Sequence, residues 1–307
     1  MRIFLTGGTG YIGGAVLEAL VRGGHEVTAL VRSNEKARGV SARGAHPVIG
    51  NLGDPESYRA HADAQDGYVH AAFDYSSTGG PAVERIGLEA MIAAARRPRT
   101  SGSNAPAMRF LVYTSGVWIL GRTPEPVAED APINPIAMAS FRPSHEQLVL
   151  EAGGDRLRTI VVRPGLVYGG KRGMIGDLFK SATNGLVRVV GDGNNHWPLV
   201  YDRDLADLYA RLAAAADASG IYHANDEGDE RVNDLVSAIA PQVPVRPDVR
   251  HVPFDEARSK MGAVAEALAL DQVVRSPRAR ALGWTPTLHS VAGNTARLLE
   301  EWRAGRN

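Results

Sequence analysis

The sequence predicts an α/β fold in which a doubly wound parallel sheet carries helices on both faces and a smaller C-terminal α/β lobe follows. Two observations support this class. Short apolar runs alternate with stretches of helical periodicity through the first half of the chain, as in the β–α–β units of parallel sheets. A glycine-rich turn joins the first apolar run to the first helical pattern. The 307 residues are enough to bury a sizeable core.

Strands and helices are predicted in alternation along the chain. In the first half, strands are expected at 2–6, 26–31, 46–50, 68–72, 108–114 and 157–162, and helices at 12–21, 81–97 and 143–152. Beyond residue 165 the pattern loosens, with helices near 173–183, 203–216, 231–240, 254–268 and 288–304, and strands near 187–190, 220–224 and 249–253. We expect a first domain over 1–165, with a return segment near 187–224 joining its sheet, and a second lobe over 166–307.

The composition excludes several classes of function. Lys and Arg together number 34, as do Asp and Glu, so net charge gives no reason to expect nucleic acid or a membrane as partner. The absence of cysteine excludes disulfides, thiolate metal sites and a cysteine nucleophile. None of the nine histidines falls in an HExxH or HxH pattern, so we expect no metal. No segment approaches 18 uninterrupted apolar residues, and we expect a cytoplasmic protein.

The segment TGGTGYIG at 6–13 is typical of a phosphate-binding turn. Gly7, Gly10 and Gly13 follow the first strand directly and open the first helix. Glycine permits a tight turn and lets backbone N–H groups approach a pyrophosphate, and the helix N-terminus adds positive potential there. A glycine-rich turn without ligand is the alternative, since the spacing is G-x-x-G-x-x-G rather than the standard G-x-G-x-x-G. The other candidate cofactor contacts of the segment are Thr9, Tyr11 and Ile12.

The end of the second strand indicates which dinucleotide binds. NAD-binding folds carry an acid about 20 residues after the glycines, for the ribose 2′-hydroxyl. Here Arg32 and Ser33 occupy that place, and no Asp or Glu lies at 31–33. A guanidinium suits the 2′-phosphate of NADP. We therefore expect NADP rather than NAD, the alternative being an exposed arginine at a strand end.

Further motifs make the chain resemble the short-chain dehydrogenase/reductase superfamily, in its extended or atypical branch of NAD-dependent epimerase/dehydratase-like proteins. The motifs are TGGTGYIG (6–13), GNLGDPES (50–57), VHAA (69–72), FLVYTSG (110–116), RPGLVYG (163–169), GDG (191–193), VYDRDLA (200–206) and ARALGW (279–284). Their order and spacing together are more specific than any one of them. The resemblance covers nearly the whole chain and implies a Rossmann-like dinucleotide-binding domain.

The resemblance also implies further contacts to the cofactor. Asn51 and Leu52 take the place of an Asp-hydrophobic pair that contacts the adenine. Ala71 and Ala72 match small residues that pass under the cofactor, although small residues also simply pack at such a place. The remaining cofactor contacts implied are Thr114, His145, Pro164, Gly165 and Val167.

The proton relay of that family is altered in this sequence. The family uses a Ser or Thr after the fifth strand and then Tyr-x-x-x-Lys, in which Lys lowers the pKa of the Tyr that passes a proton. Gly116 takes the Ser position, with Ser115 one residue before it. Phe141 and His145 take the Tyr and Lys positions. Phenylalanine has no proton to give, and histidine is a weaker cation than lysine near neutral pH.

Other side chains are candidates for the missing proton donor. Ser115 and His145 lead, and Thr114, Tyr75 and Tyr201 are alternatives. The two hydroxyls after the fifth strand are also typical of backbone caps, and the two tyrosines of packing aromatics.

Aromatic side chains are typical of small-molecule pockets, although core burial explains them equally well. The candidates for the wall of a substrate pocket are Tyr75, Trp118, Phe141, Trp197 and Tyr201. A site for the diphosphate of a sugar nucleotide is a further alternative, with Arg163, Lys171 and Arg172 as its candidate residues.

Three functions fit the sequence. The first is an NADP(H)-dependent oxidoreductase with an altered proton relay, acting on a small carbonyl, imine or enone-like compound. The second is a nucleotide-sugar epimerase or dehydratase, against which the missing Tyr and Lys count. The third is a non-catalytic NADP(H)-binding sensor or regulator. We favour the first, because the second half keeps enough elements to enclose a small-molecule substrate. The resemblance makes helices 81–97 and 143–152 candidate faces of a homodimer.

Overall fold

The computed structural model describes residues 1–74, 79–98 and 108–305. The strands of this described part are β1 (Arg2–Thr6), β2 (Glu26–Val31), β3 (His46–Ile49), β4 (Gly67–His70), β5 (Arg109–Thr114), β6 (Thr123–Val127), β7 (Leu157–Pro164), β8 (Leu166–Tyr168), β9 (Leu186–Val190), β10 (His196–Trp197), β11 (Leu199–Tyr201), β12 (Gly220–Ala224), β13 (Glu230–Arg231), β14 (Asp248–Val252) and β15 (Gln272–Val274).

The α-helices of the same residues are α1 (Tyr11–Arg22), α2 (Asn34–Ser41), α3 (Arg59–Asp63), α4 (Gly80–Arg96), α5 (Arg142–Glu151), α6 (Gly173–Thr183), α7 (Asp202–Ala214), α8 (Val232–Ile239), α9 (Phe254–Met261), α10 (Ala263–Ala269), α11 (Pro277–Ala281) and α12 (Thr295–Ala304). None of these helices has both the length and the apolar character needed to cross a bilayer.

A seven-stranded sheet in the order β12-β7-β5-β4-β1-β2-β3 confirms the predicted fold class. The pairs from β7 through to β3 are parallel. The chain builds β1, β2 and β3 to one side and then crosses to β4 on the other side of β1. The strand order therefore reverses between β1 and β4, and ligands of open α/β sheets bind outside the carboxyl ends of strands at such a switch point.

Burial explains why these segments form a parallel sheet. Every residue of β4, β5 and β7 is buried, and only Arg2 of β1 is exposed. Continuous burial of this kind is typical of strands covered on both faces. Helix α1 packs against β1 and β2, and α4 packs against β4 and β5.

The described chain divides into two compact units whose segments alternate along the sequence. Unit 1 contains 1–115, 143–162 and 206–222, and unit 2 contains 116–142, 163–205 and 223–305. The sequence predicts a single main boundary near residue 165. In the structure, the segment 116–142, which precedes that boundary, belongs to unit 2. Segment 206–222 belongs to unit 1 and leads into β12 of its sheet.

Two predicted helices differ from those of the structure, and α2 lies where no helix is predicted. The helix predicted over 254–268 is two helices, because Gly262 between them adopts a φ of 61°. The last helix begins at Thr295 rather than at 288. Helix α2 was not predicted, since Val40 is its buried residue and one apolar position makes no helical periodicity.

Candidate cofactor and catalytic site

The glycine-rich turn after β1 forms a cradle of backbone at the switch point. Gly7 has a φ of 79°, and a Cβ on it would lie 2.7 Å from the Ala72 nitrogen and would collide with the Ala71 carbonyl. A Cβ on Gly13 would collide with the Gly7 carbonyl. The amide of Gly10 donates to the Gly7 carbonyl at 2.7 Å. Glycine is therefore required at Gly7 and Gly13 by the close approach of backbone.

Helix α1 begins directly at this cradle. Its N-cap residue is Gly10, which offers no side-chain cap, and its first turn has no acidic residue. The first N–H groups of a helix lack partners within the helix and favour an anion. The cradle and the helix start together fit the pyrophosphate of a dinucleotide. Tyr11 and Ile12 open α1, and Thr9 precedes Gly10 in the turn.

Arg32 lies at the surface after β2. Its side chain is 83% exposed and its Nη1 lies 3.9 Å from a carboxylate oxygen of Asp74, which is 41% exposed. An exposed pair at this distance is weak, and a phosphate can displace it. Ser33 is the N-cap of α2, where its hydroxyl accepts a hydrogen bond from the Lys36 amide at 3.3 Å.

The predicted adenine contacts lie in the loop after β3. The side-chain oxygen of Asn51 accepts a hydrogen bond from the Gly53 amide at 3.0 Å, which closes a local turn. Leu52 packs so closely on Gly87 of α4 that a Cβ there would collide with it. The turn and this packing fix the backbone of the loop.

The two hydroxyls after β5 have different surroundings. Thr114 lies with its Oγ1 2.7 Å from the phenol oxygen of Tyr209 on α7. Ser115 is 5% exposed, and its Oγ has no hydrogen-bond partner within the described residues. A buried hydroxyl without a partner carries a free-energy cost, and such a group calls for an explanation such as a ligand.

His145 is buried on α5 and is held by an acid that sequence reasoning missed. Its Nδ1 lies 2.7 Å from Oε2 of Glu84 on α4, and the two side chains are 4% and 2% exposed. The phenol of Tyr113 on β5 lies 3.2 Å from the same Oε2. The sequence signal for Glu84 is its helical register, since it shares a face with Leu88 and Met91, which are in the core.

The buried polar groups continue to the end of β1. Nε2 of His70 lies 3.8 Å from Oε1 of Glu84, and its Nδ1 lies 2.6 Å from Oγ1 of Thr6. We call Thr6, His70, Glu84, Tyr113 and His145 the Glu84 network. All five side chains are nearly inaccessible to water.

The remaining predicted site residues belong to unit 2, except Tyr75, which lies outside the described residues. Trp197 and Tyr201 lie in the core of that unit, where the indole donates to the Leu268 carbonyl at 3.1 Å and the phenol to Glu301 at 2.8 Å. Trp118 packs against a smaller core cluster, and the Arg142 guanidinium lies 5.0 Å from the centre of the Phe141 ring.

The segment of unit 2 that begins at Pro164 is shaped by a close backbone contact. A Cβ on Gly165 would collide with the Pro198 carbonyl, and the Gly165 amide donates to the Ala224 carbonyl at 2.9 Å. Val167 pairs with Val200 between β8 and β11.

Asp226 and His223 are buried groups of unit 2 whose pKa values are shifted. Burial raises the pKa of the Asp226 carboxyl to about 7, against a hydrogen bond from the Gly228 amide that lowers it. Burial, together with the Arg163 guanidinium, lowers the pKa of His223 to about 3. Among the described residues no group of three or more His, Asp or Glu side chains is arranged to hold a metal ion.

Comparison with known proteins places this chain in a family. Residues 3–224 match the model of the NAD dependent epimerase/dehydratase family. A 2-alkyl-3-oxoalkanoate reductase of Stenotrophomonas maltophilia is 30% identical over 87% of this chain and 83% of its own. A 4-hydroxy-2-methyl-3-oxo-4-farnesyl-3,4-dihydroquinoline-1-oxide ketoreductase of Stigmatella aurantiaca is 29% identical over 84% of this chain and 78% of its own.

Solved structures share the whole fold. The human epimerase family protein SDR39U1, solved with NADPH, superposes with a TM-score of 0.78 at 20% identity, covering 98% of this chain and 99% of that one. A UDP-glucose 4-epimerase of Thermus thermophilus, solved with NAD, gives a TM-score of 0.76 at 20% identity and covers 99% of both chains.

Proposed function

Because the chain belongs to the NAD dependent epimerase/dehydratase family, we propose that it is an NADP(H)-dependent reductase of a small carbonyl, imine or enone-like compound. The observation that carries the proposal is the buried Glu84–His145 pair, at 2.7 Å, in the slot where the family keeps its Lys. An imidazole held by a carboxylate is a recurrent proton-transfer group. Two relatives that are named reductases support the same reaction class.

Different residues of unit 1 bind different parts of the cofactor and the substrate. The N–H groups of the cradle around Gly7 and Gly10 bind the pyrophosphate, and Arg32 pairs with the 2′-phosphate that distinguishes NADP from NAD. When bound, NADPH supplies the hydride. Ser115, with its partnerless hydroxyl, orients the substrate oxygen, and His145 gives that oxygen a proton.

The test is NADPH oxidation by the purified protein with a panel of carbonyl compounds that includes 2-alkyl-3-oxoalkanoates. We expect turnover with NADPH in preference to NADH. Replacing the imidazole, His145→Gln, should lower kcat/KM by on the order of 10²–10⁴, the usual contribution of acid–base catalysis. His61→Gln, at an exposed histidine of α3, is the matched control and should leave kcat/KM unchanged. Full activity of His145→Gln would refute the role of His145.

A non-catalytic NADP(H)-binding protein is the second candidate, because Phe141 stands where the family carries its Tyr. The same loss counts against a nucleotide-sugar epimerase or dehydratase, which needs that proton relay. Tight NADPH binding, with no oxidation across the whole panel and no conversion of nucleotide sugars, would favour this candidate.

A further inference from the structure

Glu84 occupies a position where the fold alone gives little reason for an acid. Its side chain is 2% exposed and lies on the helical face of α4 that also carries Leu88 and Met91. Carboxylates are almost never fully buried unless they are paired. A buried ion pair is weak grounds for stability, because the desolvation of both charges offsets their attraction. The acid therefore calls for a functional explanation.

The hydrogen bonds to Glu84 fix the orientation of His145. Oε2 of Glu84 lies 2.7 Å from Nδ1 of His145 and 3.2 Å from the Tyr113 phenol. If Glu84 is ionised, its carboxylate only accepts, so both partners then donate and His145 carries a proton on Nδ1. The Tyr113 ring also packs edge-on against His145, with centroids 6.5 Å apart. Nε2 is then the nitrogen at which His145 gains or loses a proton.

The other side of the network reaches the glycine cradle. His70 lies between Glu84 and Thr6, at 3.8 Å from the acid and 2.6 Å from the hydroxyl. Thr6 directly precedes Gly7, and His70 directly precedes Ala71, whose carbonyl closes against Gly7. The network thus joins the two strand ends that build the cradle to the residue in the family's Lys position.

We propose that Glu84 is a positioning residue that holds His145 for proton transfer and ties its orientation to the cradle. The proposal rests on the proposed function. In the direction of reduction, bound NADPH would supply the hydride to the carbonyl carbon and become NADP⁺, and the oxygen would gain the Nε2 proton of a doubly protonated His145. The Nδ1 proton stays on the bond to Glu84, and the neutral ring regains a proton from the solvent once the product has left.

The kinetic test compares two substitutions on the same helix. Glu84→Gln keeps the shape of the side chain but removes its charge, and Glu89→Gln does the same at an exposed acid of α4 that pairs with Arg85. We expect Glu84→Gln to lower kcat by on the order of 10²–10⁴ with KM and NADPH affinity within a few fold, and Glu89→Gln to lower neither. Combined with His145→Gln, the second change should add little. Additive losses, or a loss confined to stability, would overturn the proposal.

A spectroscopic test needs no activity and separates the two proposals. In protein labelled with ¹⁵N-histidine, His145 should show a protonated Nδ1 with a low-field proton resonance. The resonance should survive in Glu89→Gln and disappear in Glu84→Gln and His145→Gln. A wild-type His145 protonated on Nε2 alone would overturn the positioning role even if Glu84→Gln failed to fold. An inactive protein with the expected resonance would refute the proposed function but leave the Glu84–His145 pairing intact.

Discussion

The carbonyl of Ala71 closes against Gly7 so tightly that a side chain on Gly7 would collide with it. The two residues follow β1 and β4, the strands between which the sheet order reverses. Gly7 also has a φ of 79°, which residues with a side chain rarely adopt. This close approach of the Ala71 backbone explains why residue 7 is glycine.

Gly7→Ala should therefore abolish the cradle. The positive φ and the backbone collision together should cost about 2 kcal/mol or more of unfolding free energy. NADPH affinity should fall at least roughly tenfold, because the N–H groups move away from the pyrophosphate. Thermal unfolding and calorimetric titration with NADPH measure the two effects.

The matched control for this change is Gly39→Ala in α2. A Cβ on Gly39 would meet nothing within 4 Å. Alanine there should stabilise the protein by up to about 1 kcal/mol and leave NADPH affinity unchanged. Equal behaviour of the two variants would contradict the packing argument.

The cradle was accessible to sequence reasoning and the Glu84 network was not. Gly7, Gly10 and Gly13 are recognisable because all their requirements are local, a strand before them and a helix after them. The family resemblance places His145 at the position of the Lys, but its partner Glu84 is 61 residues away in the chain. Only the packing of α4 against the sheet brings that acid into the core, although its place among Leu88 and Met91 was a visible anomaly.

The proposed preference for NADP over NAD depends on Arg32. Arg32→Ala would remove the charge-assisted contact that we propose to the 2′-phosphate, and a contact of that kind is worth about 1.5–3 kcal/mol. The Kd for NADPH should rise by roughly 10- to 150-fold, while the Kd for NADH stays the same. Fluorescence titration with both cofactors measures the difference. Arg22→Ala, in the last turn of α1, is the control and should leave both values unchanged. If Arg32→Ala weakened the binding of NADH and NADPH equally, the proposed contact between Arg32 and the 2′-phosphate would be refuted.

Substitutions at Thr114 and Ser115 should have different effects, the first on stability and the second on catalysis. Thr114→Val removes the 2.7 Å hydrogen bond between Thr114 Oγ1 and the Tyr209 phenol and should cost about 0.5–1.5 kcal/mol of unfolding free energy with turnover retained. Ser115→Ala removes a hydroxyl that has no partner in the described residues. It should leave stability unchanged or raised and lower kcat/KM. Chemical unfolding and initial rates measure both variants. If Ser115→Ala lost stability and Thr114→Val lost activity, the structural role would belong to Ser115 and the catalytic role to Thr114.

Asp226 should impose a pH dependence on stability. Burial raises the pKa of its carboxyl from 3.8 to about 7 in the folded protein. Between these values the folded state binds a proton that the unfolded state has lost, so stability falls as pH rises through this window and stays low above it. Asp226→Asn, which has no charge to bury, should be more stable than the wild type at pH 8 by on the order of a few kcal/mol. The two should converge near pH 4.

The difference in stability between the wild type and Asp226→Asn isolates the contribution of Asp226 to the pH dependence. His223, whose pKa of about 3 keeps it neutral when folded, gives the opposite slope, with stability lost as pH falls below the unfolded value of 6.5. That contribution is present in both proteins and cancels in the difference. Asp248→Asn, at an exposed acid of β14, is the control and should follow the wild type at every pH. Urea unfolding from pH 4 to pH 8 measures all three proteins, and a constant difference between wild type and Asp226→Asn would show that the carboxyl is already ionised in the folded protein at the acid end.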